Sequence, residues 1–141
     1  MSSQDKNYVR NASLKHEGQR YSIVSAFKNA GSGVVQAFKS ERNLKIDAAA
    51  AVIVCVLGAV LNIDLQAWVA IVICIGIVFA LEVLNTAIEA VVDLAHPAYH
   101  SLARRAKDCA AGAVLLAAAM SVVVGLLVFV PAILSKLGFA F

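Results

Sequence analysis

Polar and apolar positions divide the chain into stretches of different character. Residues 1–20 are polar, mixed in charge and without periodicity, which predicts a disordered tail. Between Tyr21 and Lys39, Ile23, Val24, Phe27, Ala30, Val34 and Phe38 recur at helical spacing, with Lys28, Asn29, Ser32 and Gln36 on the other faces. This predicts an amphipathic helix over 21–40, of the kind that lies in a membrane interface, though Gly31 and Gly33 weaken it. Ala48–Leu61 is continuously apolar. Leu44, Ile46 and Ile63 extend it to a span of about 44–63, near the length a bilayer requires. Lys45 is placed to reach back toward the headgroups. Asn62–Gln66 reads as a tight turn and Trp68 as an interfacial anchor. A second span covers about 67–94. Ala95–Lys107, broken by Pro97, reads as a loop. A third span covers about 108–134, polar only at Ser121 and with Pro131 near its end. The expected fold is all-α integral membrane: three transmembrane helices plus an N-terminal amphipathic interfacial helix, with 21–141 forming one domain.

Composition agrees. Hydrophobic residues make up 61% of the chain, against about 45–50% in soluble domains. The formal net charge is only +3, but eight of the twelve Lys and Arg lie between Lys6 and Lys45, and Arg104, Arg105 and Lys107 form a second cluster. The Asn62–Gln66 turn has none. By the positive-inside rule the N-terminus and the 95–107 segment are cytoplasmic and the C-terminus is outside. Cys55, Cys74 and Cys109 match no metal or redox spacing and read as small buried hydrophobes. The first forty residues contain no continuous apolar core, so no cleavable signal peptide is expected. The Asn11-Ala-Ser13 triplet carries no meaning on a cytoplasmic tail.

The second span ends in Glu82-Val-Leu-Asn-Thr-Ala-Ile-Glu-Ala-Val-Val-Asp93. At about 100° per residue, Glu82, Asn85, Glu89 and Asp93 share an arc of about 80°. They follow fifteen uncharged residues, Ala67–Leu81. A carboxylate at bilayer depth costs on the order of 2.5–3.5 kcal/mol, so a metal, a basic partner or the water interface must face it. Glu41, Asp47, Lys107 and Asp108 fall at the same end of their spans. Paired carboxylates with oxygen-only ligands suit Mg²⁺ together with substrate phosphates, and a nearby lysine suits a nucleotide phosphate. Glu82, about 10 Å deeper than Glu89 at 1.5 Å per residue, is placed to take the proton of a lipid hydroxyl. Together these describe phosphoryl transfer from a nucleotide to a membrane alcohol. A plain solvated acidic face is the competing reading, and the apolar run ahead of Glu82 weighs against it. His96 and His100 are four apart, but Pro97 disfavours a helical metal pair. No Walker-type loop or protein-kinase loop set is present, so the chemistry needs another scaffold.

These residues carry a family resemblance. The Glu82–Asp93 stretch, Tyr99-His100, Ala106-Lys107-Asp108 and the Ala-Gly-Ala-Val-Leu-Leu run after it closely resemble the signature of the small prokaryotic diacylglycerol kinases, over about Tyr21–Val130. Phe38-Lys-Ser-Glu-Arg-Asn43 resembles the Gram-positive branch that includes undecaprenol kinases. The resemblance implies a multi-pass lipid kinase of the bacterial cytoplasmic (inner) membrane, using ATP and Mg²⁺. It also implies a homotrimer with active sites shared between neighbouring chains. By the same resemblance Glu82 is the catalytic base and Asn85 the active-site asparagine. Glu41 and Glu89 hold the metal. Asn29, Glu41, Glu89, Tyr99, His100, Lys107 and Asp108 serve the nucleotide. Its partners are ATP and a lipid alcohol in the bilayer; nucleic acid is not among them.

Some positions depart from the family pattern. Pro97-Ala98 replace residues that are usually charged or polar, Asn29 falls near a position often Tyr, Asp47 stands where His or Glu is common, and the tail is long. The acceptor is read as undecaprenol, with diacylglycerol as the alternative. A small oligomeric proton-coupled transporter using Glu82 is the remoter reading, disfavoured because the acids crowd toward one end. A non-catalytic assembly subunit and a phosphatidyl-alcohol transferase fit less well still.

Overall fold

The computed structural model describes residues 22–139; the expected tail of residues 1–20 and the Asn11–Ser13 triplet lie outside them. Among the described residues there are four helices: α1 (Ile23–Ser40), α2 (Arg42–Leu61), α3 (Leu65–Ala95) and α4 (Ser101–Lys136). The chain divides into two units, one ending at Gly33 and one running from Val34 onward. In the first unit the described residues are helical from Ile23 on and exposed, apart from Ser25, which is half-buried.

The second unit is an antiparallel arrangement of α2, α3 and α4, each long and apolar enough to cross a membrane. At 1.5 Å per residue α2 is about 30 Å long, close to the hydrocarbon thickness, while α3 and α4 reach about 46 and 54 Å. The helices are aligned at the α2–α3 turn. Asn62 ends α2 in the left-handed region (φ 53°, ψ 49°), its N–H shared between the Gly58 and Ala59 carbonyls. Asp64 starts α3, its Oδ1 accepting from the Ala67 N–H at 2.8 Å. Lys136 Nζ donates to the Val60 carbonyl at 2.8 Å, tying the last turn of α4 to this end. The surplus length of α3 and α4 therefore lies at the opposite end, where the acidic stripe is.

Trp68 is half-buried and packs on Gly58; a Cβ there would meet the indole Cη2 and Ile63 Cδ1 at 3.0 Å. The missing side chain lets the helices close over the turn. In the last turn of α1, Ala37 is buried and Phe38 packs on Phe79 with ring centroids 5.8 Å apart. Leu44 is fully buried.

Two sequence expectations are corrected. Of the cysteines read as buried, Cys55 and Cys74 are half-buried and Cys109 is exposed. The 95–107 loop is only His96–His100, and α4 begins at Ser101. His100 caps it, Nδ1 accepting from the Leu102 N–H at 3.2 Å. Leu102–Ala110 are mostly good helix formers, so the charges that end the apolar run do not end the helix. Arg104, Arg105, Lys107 and Asp108 thus stand on a rigid element.

Candidate active site

The site forms where the first two turns of α2 meet the second half of α3 and the first half of α4. Glu41 precedes α2 in an extended conformation (φ −90°, ψ 124°), and its side chain makes no capping bond to that helix. Its carboxylate is therefore free for another partner. Asn43 and Asp47, one turn apart on α2, line a cavity of about 260 Å³ with Glu82 and Asn85 from α3 and Ala111, Val114, Leu115 and Ala118 from α4.

Glu82 is 4% exposed and Asn85 8%. Asn85 Nδ2 donates to Glu89 Oε1 at 3.1 Å, which fixes the amide and orients the glutamate one turn further on. Thr86 is spent on its own helix, its hydroxyl donating to the Glu82 carbonyl at 3.0 Å. Asp47 of α2 and Glu82 of α3 thus line one cavity. Among the described residues two buried oxygens, Asp47 Oδ2 and Asn85 Oδ1, have no hydrogen-bond partner. A buried orphan of this kind costs about 1–3 kcal/mol, and a ligand that supplies a donor or a cation relieves it.

Toward the overhanging end, Lys107 Nζ lies 2.6 Å from Asp93 Oδ1 and Arg104 Nε 3.6 Å from Asp108 Oδ2. The first pair bridges α3 and α4; the second runs along α4. Both sequence-predicted positions on α4 are thus engaged with local partners. In the loop, Tyr99 is 81% exposed, and the His96 and His100 rings stack at 4.8 Å. Asn29 and Lys28 belong to the first unit and are exposed there.

Sequence reasoning named Asp47 only as a charge at this end of the spans, gave it no role in the site, and did not single out Asn43. Their signal was an i, i+4 polar pair entering an apolar span, the same spacing logic that singled out Glu82 and Asn85.

The fold and this cluster define a class: an all-helical, three-span membrane protein with a carboxylate-rich pocket at one end of its spans. Residues 28–129 match the family described as prokaryotic diacylglycerol kinase, and the chain belongs to that family. It is similar to an undecaprenol kinase of Bacillus subtilis, 41% identical over 84% of this chain and 97% of that protein. A diacylglycerol kinase of Synechocystis is 42% identical over 80% of this chain and 65% of that protein. The diacylglycerol kinase of Escherichia coli K12 is 33% identical over 72% and 83%. The protein is accordingly a lipid kinase, a phosphotransferase acting on an alcohol group, and the transporter reading is set aside.

Proposed function

We propose that the protein transfers the γ-phosphate of ATP to undecaprenol, with Glu82 as general base. The observation that carries this is Glu82 itself. It is a buried carboxylate with no hydrogen bond of its own among the described residues, opening into a cavity beside Asn85 at the end of a membrane-length helix. A hydroxyl presented there donates its proton to Glu82 as its oxygen attacks the γ-phosphorus, and the bond from that phosphorus to the β,γ-bridging oxygen breaks, releasing ADP with the electron pair. Proton transfer of this kind contributes roughly 10²–10⁴-fold, and the remainder comes from positioning. Asn85 holds Glu89 in place and keeps one oxygen free toward the pocket.

Glu41 and Glu89 would hold Mg²⁺. Oxygen donors and orphaned oxygens suit that ion. Among the described residues no group of three His, Cys, Asp or Glu side chains closes to metal-binding distance. A site with one or two protein carboxylates completed by phosphates and water is the usual Mg²⁺ pattern. The ion supplies neutralisation of phosphate charge. Lys107, Asp108, Tyr99, His100 and Asn29 are the nucleotide side of the proposal. For Lys107 this requires exchanging Asp93 for a phosphate. The pocket is open on one side, which suits a homotrimer whose neighbouring chain completes each site. The Lys and Arg distribution supports a cytoplasmic N-terminus, and the family supports a place in the bacterial cytoplasmic membrane.

Undecaprenol is supported by the Bacillus relative, which this chain matches along nearly its full length. Diacylglycerol is the second reading, favoured by the names of the Synechocystis and Escherichia relatives. The test is transfer from labelled ATP with Mg²⁺ in mixed micelles, offering each lipid separately. Labelling of undecaprenol with little of diacylglycerol supports the proposal, the reverse moves the substrate, and no labelling by folded protein refutes lipid phosphorylation.

A further inference from the structure

A second cavity of about 220 Å³ adjoins the first, and the two share Asp47 and Ala118. Its lining is apolar, with Val54, Val78, Phe79 and Val122, apart from the shared Asp47, Cys74 and Ser121. Ser121 is not free to bind a ligand as donor, because its hydroxyl donates to the Ala117 carbonyl at 2.8 Å. Going from Glu82 into the apolar groove, Asp47 is therefore the last strongly polar group, and its Oδ2 is buried without a partner among the described residues.

An acceptor whose reacting hydroxyl meets Glu82 and whose hydrocarbon follows the groove must pass Asp47 with the atoms next to that hydroxyl. A carboxylate only accepts hydrogen bonds. A second hydroxyl at that point satisfies the orphaned oxygen. A bare hydrocarbon leaves it as it is. Ester oxygens bring lone pairs against lone pairs in a poorly solvated place, where polar mismatches are costly.

We infer that Asp47 is a specificity-determining residue that reads the group beside the reacting hydroxyl, admitting a hydrogen-bond donor or plain hydrocarbon and disfavouring ester oxygens. This rests on the lipid-acceptor reading above and deepens it. The acceptor class it selects is a prenol-type alcohol or a lipid with a neighbouring free hydroxyl, ahead of a diester glycerolipid.

The experiment compares kcat/KM for a long-chain polyprenol, a monoacylglycerol and a diacylglycerol in the same micelles. It uses the wild-type protein, Asp47→Asn, Asp47→Leu and Asp47→Glu. The wild type takes the first two at least about tenfold better than diacylglycerol, the size of discrimination that polar pocket contacts reach or exceed. Asp47→Asn, which adds a donor, cuts that preference at least about tenfold. Asp47→Leu removes any advantage of monoacylglycerol over polyprenol, and Asp47→Glu restores the wild-type order. A purely structural role for Asp47 would lower all three rates together and leave the ratios fixed. Ratios unchanged in both Asp47→Asn and Asp47→Leu overturn the inference while the kinase reading stands. Wild-type preference for diacylglycerol overturns it even if no variant folds. Failure of folded wild type to label any lipid removes the underlying reading as well.

Discussion

Replacing Glu82 by glutamine separates chemistry from architecture at this site. The two side chains are nearly the same size, so the cavity keeps its shape and the 4% exposure of the position is unchanged. The substitution removes the one property the mechanism needs, a lone pair basic enough to take the hydroxyl proton. Loss of a general base costs about 10²–10⁴ in rate, or about 3–5 kcal/mol of transition-state stabilisation. Folding moves the other way or not at all. Glu82 shares its cavity with the Asp47 carboxylate, so neutralising it relieves repulsion, and among the described residues it makes no side-chain hydrogen bond to lose. The expected result is kcat reduced at least about 100-fold, with nucleotide affinity and thermal stability in detergent at or above wild type. Labelled-phosphate transfer, nucleotide binding and a melting curve on the same preparation measure all three. Turnover within about threefold of wild type would refute the assignment of the base, since no general-base role is that small. Inactivity together with a lower melting temperature would refute the claim that Glu82 is structurally idle.

Lys107→Met breaks the bridge to Asp93, whose side chains are 34% and 65% exposed. A pair that open contributes about 0–1 kcal/mol, so stability should change little. KM for ATP should rise about tenfold or more if Lys107 turns to a phosphate, and an unchanged KM would leave it a purely interhelical residue. Gly58→Ala places a methyl at 3.0 Å from Trp68 and Ile63. A loss of about 1–3 kcal/mol is expected, read by detergent melting and by Trp68 fluorescence, and wild-type values for both would contradict the close packing there. Asn62→Gly should be neutral or slightly stabilising and Asn62→Val destabilising by about 1–2 kcal/mol, because the left-handed backbone there excludes branched side chains. Equal stability of the two would be inconsistent with the φ of 53°.

Periodicity and apolar run length made the spans legible, because each physical cause is local. Ala48–Leu61 and Ala67–Leu81 can be little else. The end of α4 nearest the loop was not legible, since it depends on where the helix outlasts its hydrophobicity; Arg104 to Asp108 are compatible with either state, and the His100 cap decides it. In the site, Glu82, Asn85 and Glu89 stood out because charge within an apolar helix is rare. The Asn85–Glu89 hydrogen bond follows from i, i+4 spacing. The partnership of Asp47 with Glu82, and of Asp93 with Lys107, depends on register between helices far apart in sequence, which no local pattern encodes. Asp47 read as a span-flanking charge until the packing of α2 on α3 and α4 gave it a cavity.

The short helix α2 has a further consequence. With 20 residues it just spans the hydrocarbon, whereas α3 and α4 have length to spare. Long helices absorb a thicker or thinner bilayer by tilting; a helix with no surplus has only snorkelling of its flanks, here Lys45, and deformation of the lipid around it. Hydrophobic mismatch therefore falls on α2, and α2 carries Asn43 and Asp47 on its first two turns with Glu41 just ahead of them. The depth of these three groups below the headgroups follows bilayer thickness more closely than that of Glu82 and Glu89 on α3. The lipid around the protein is in this sense a mechanical part of the pocket, adjusting its α2 wall against its α3 wall.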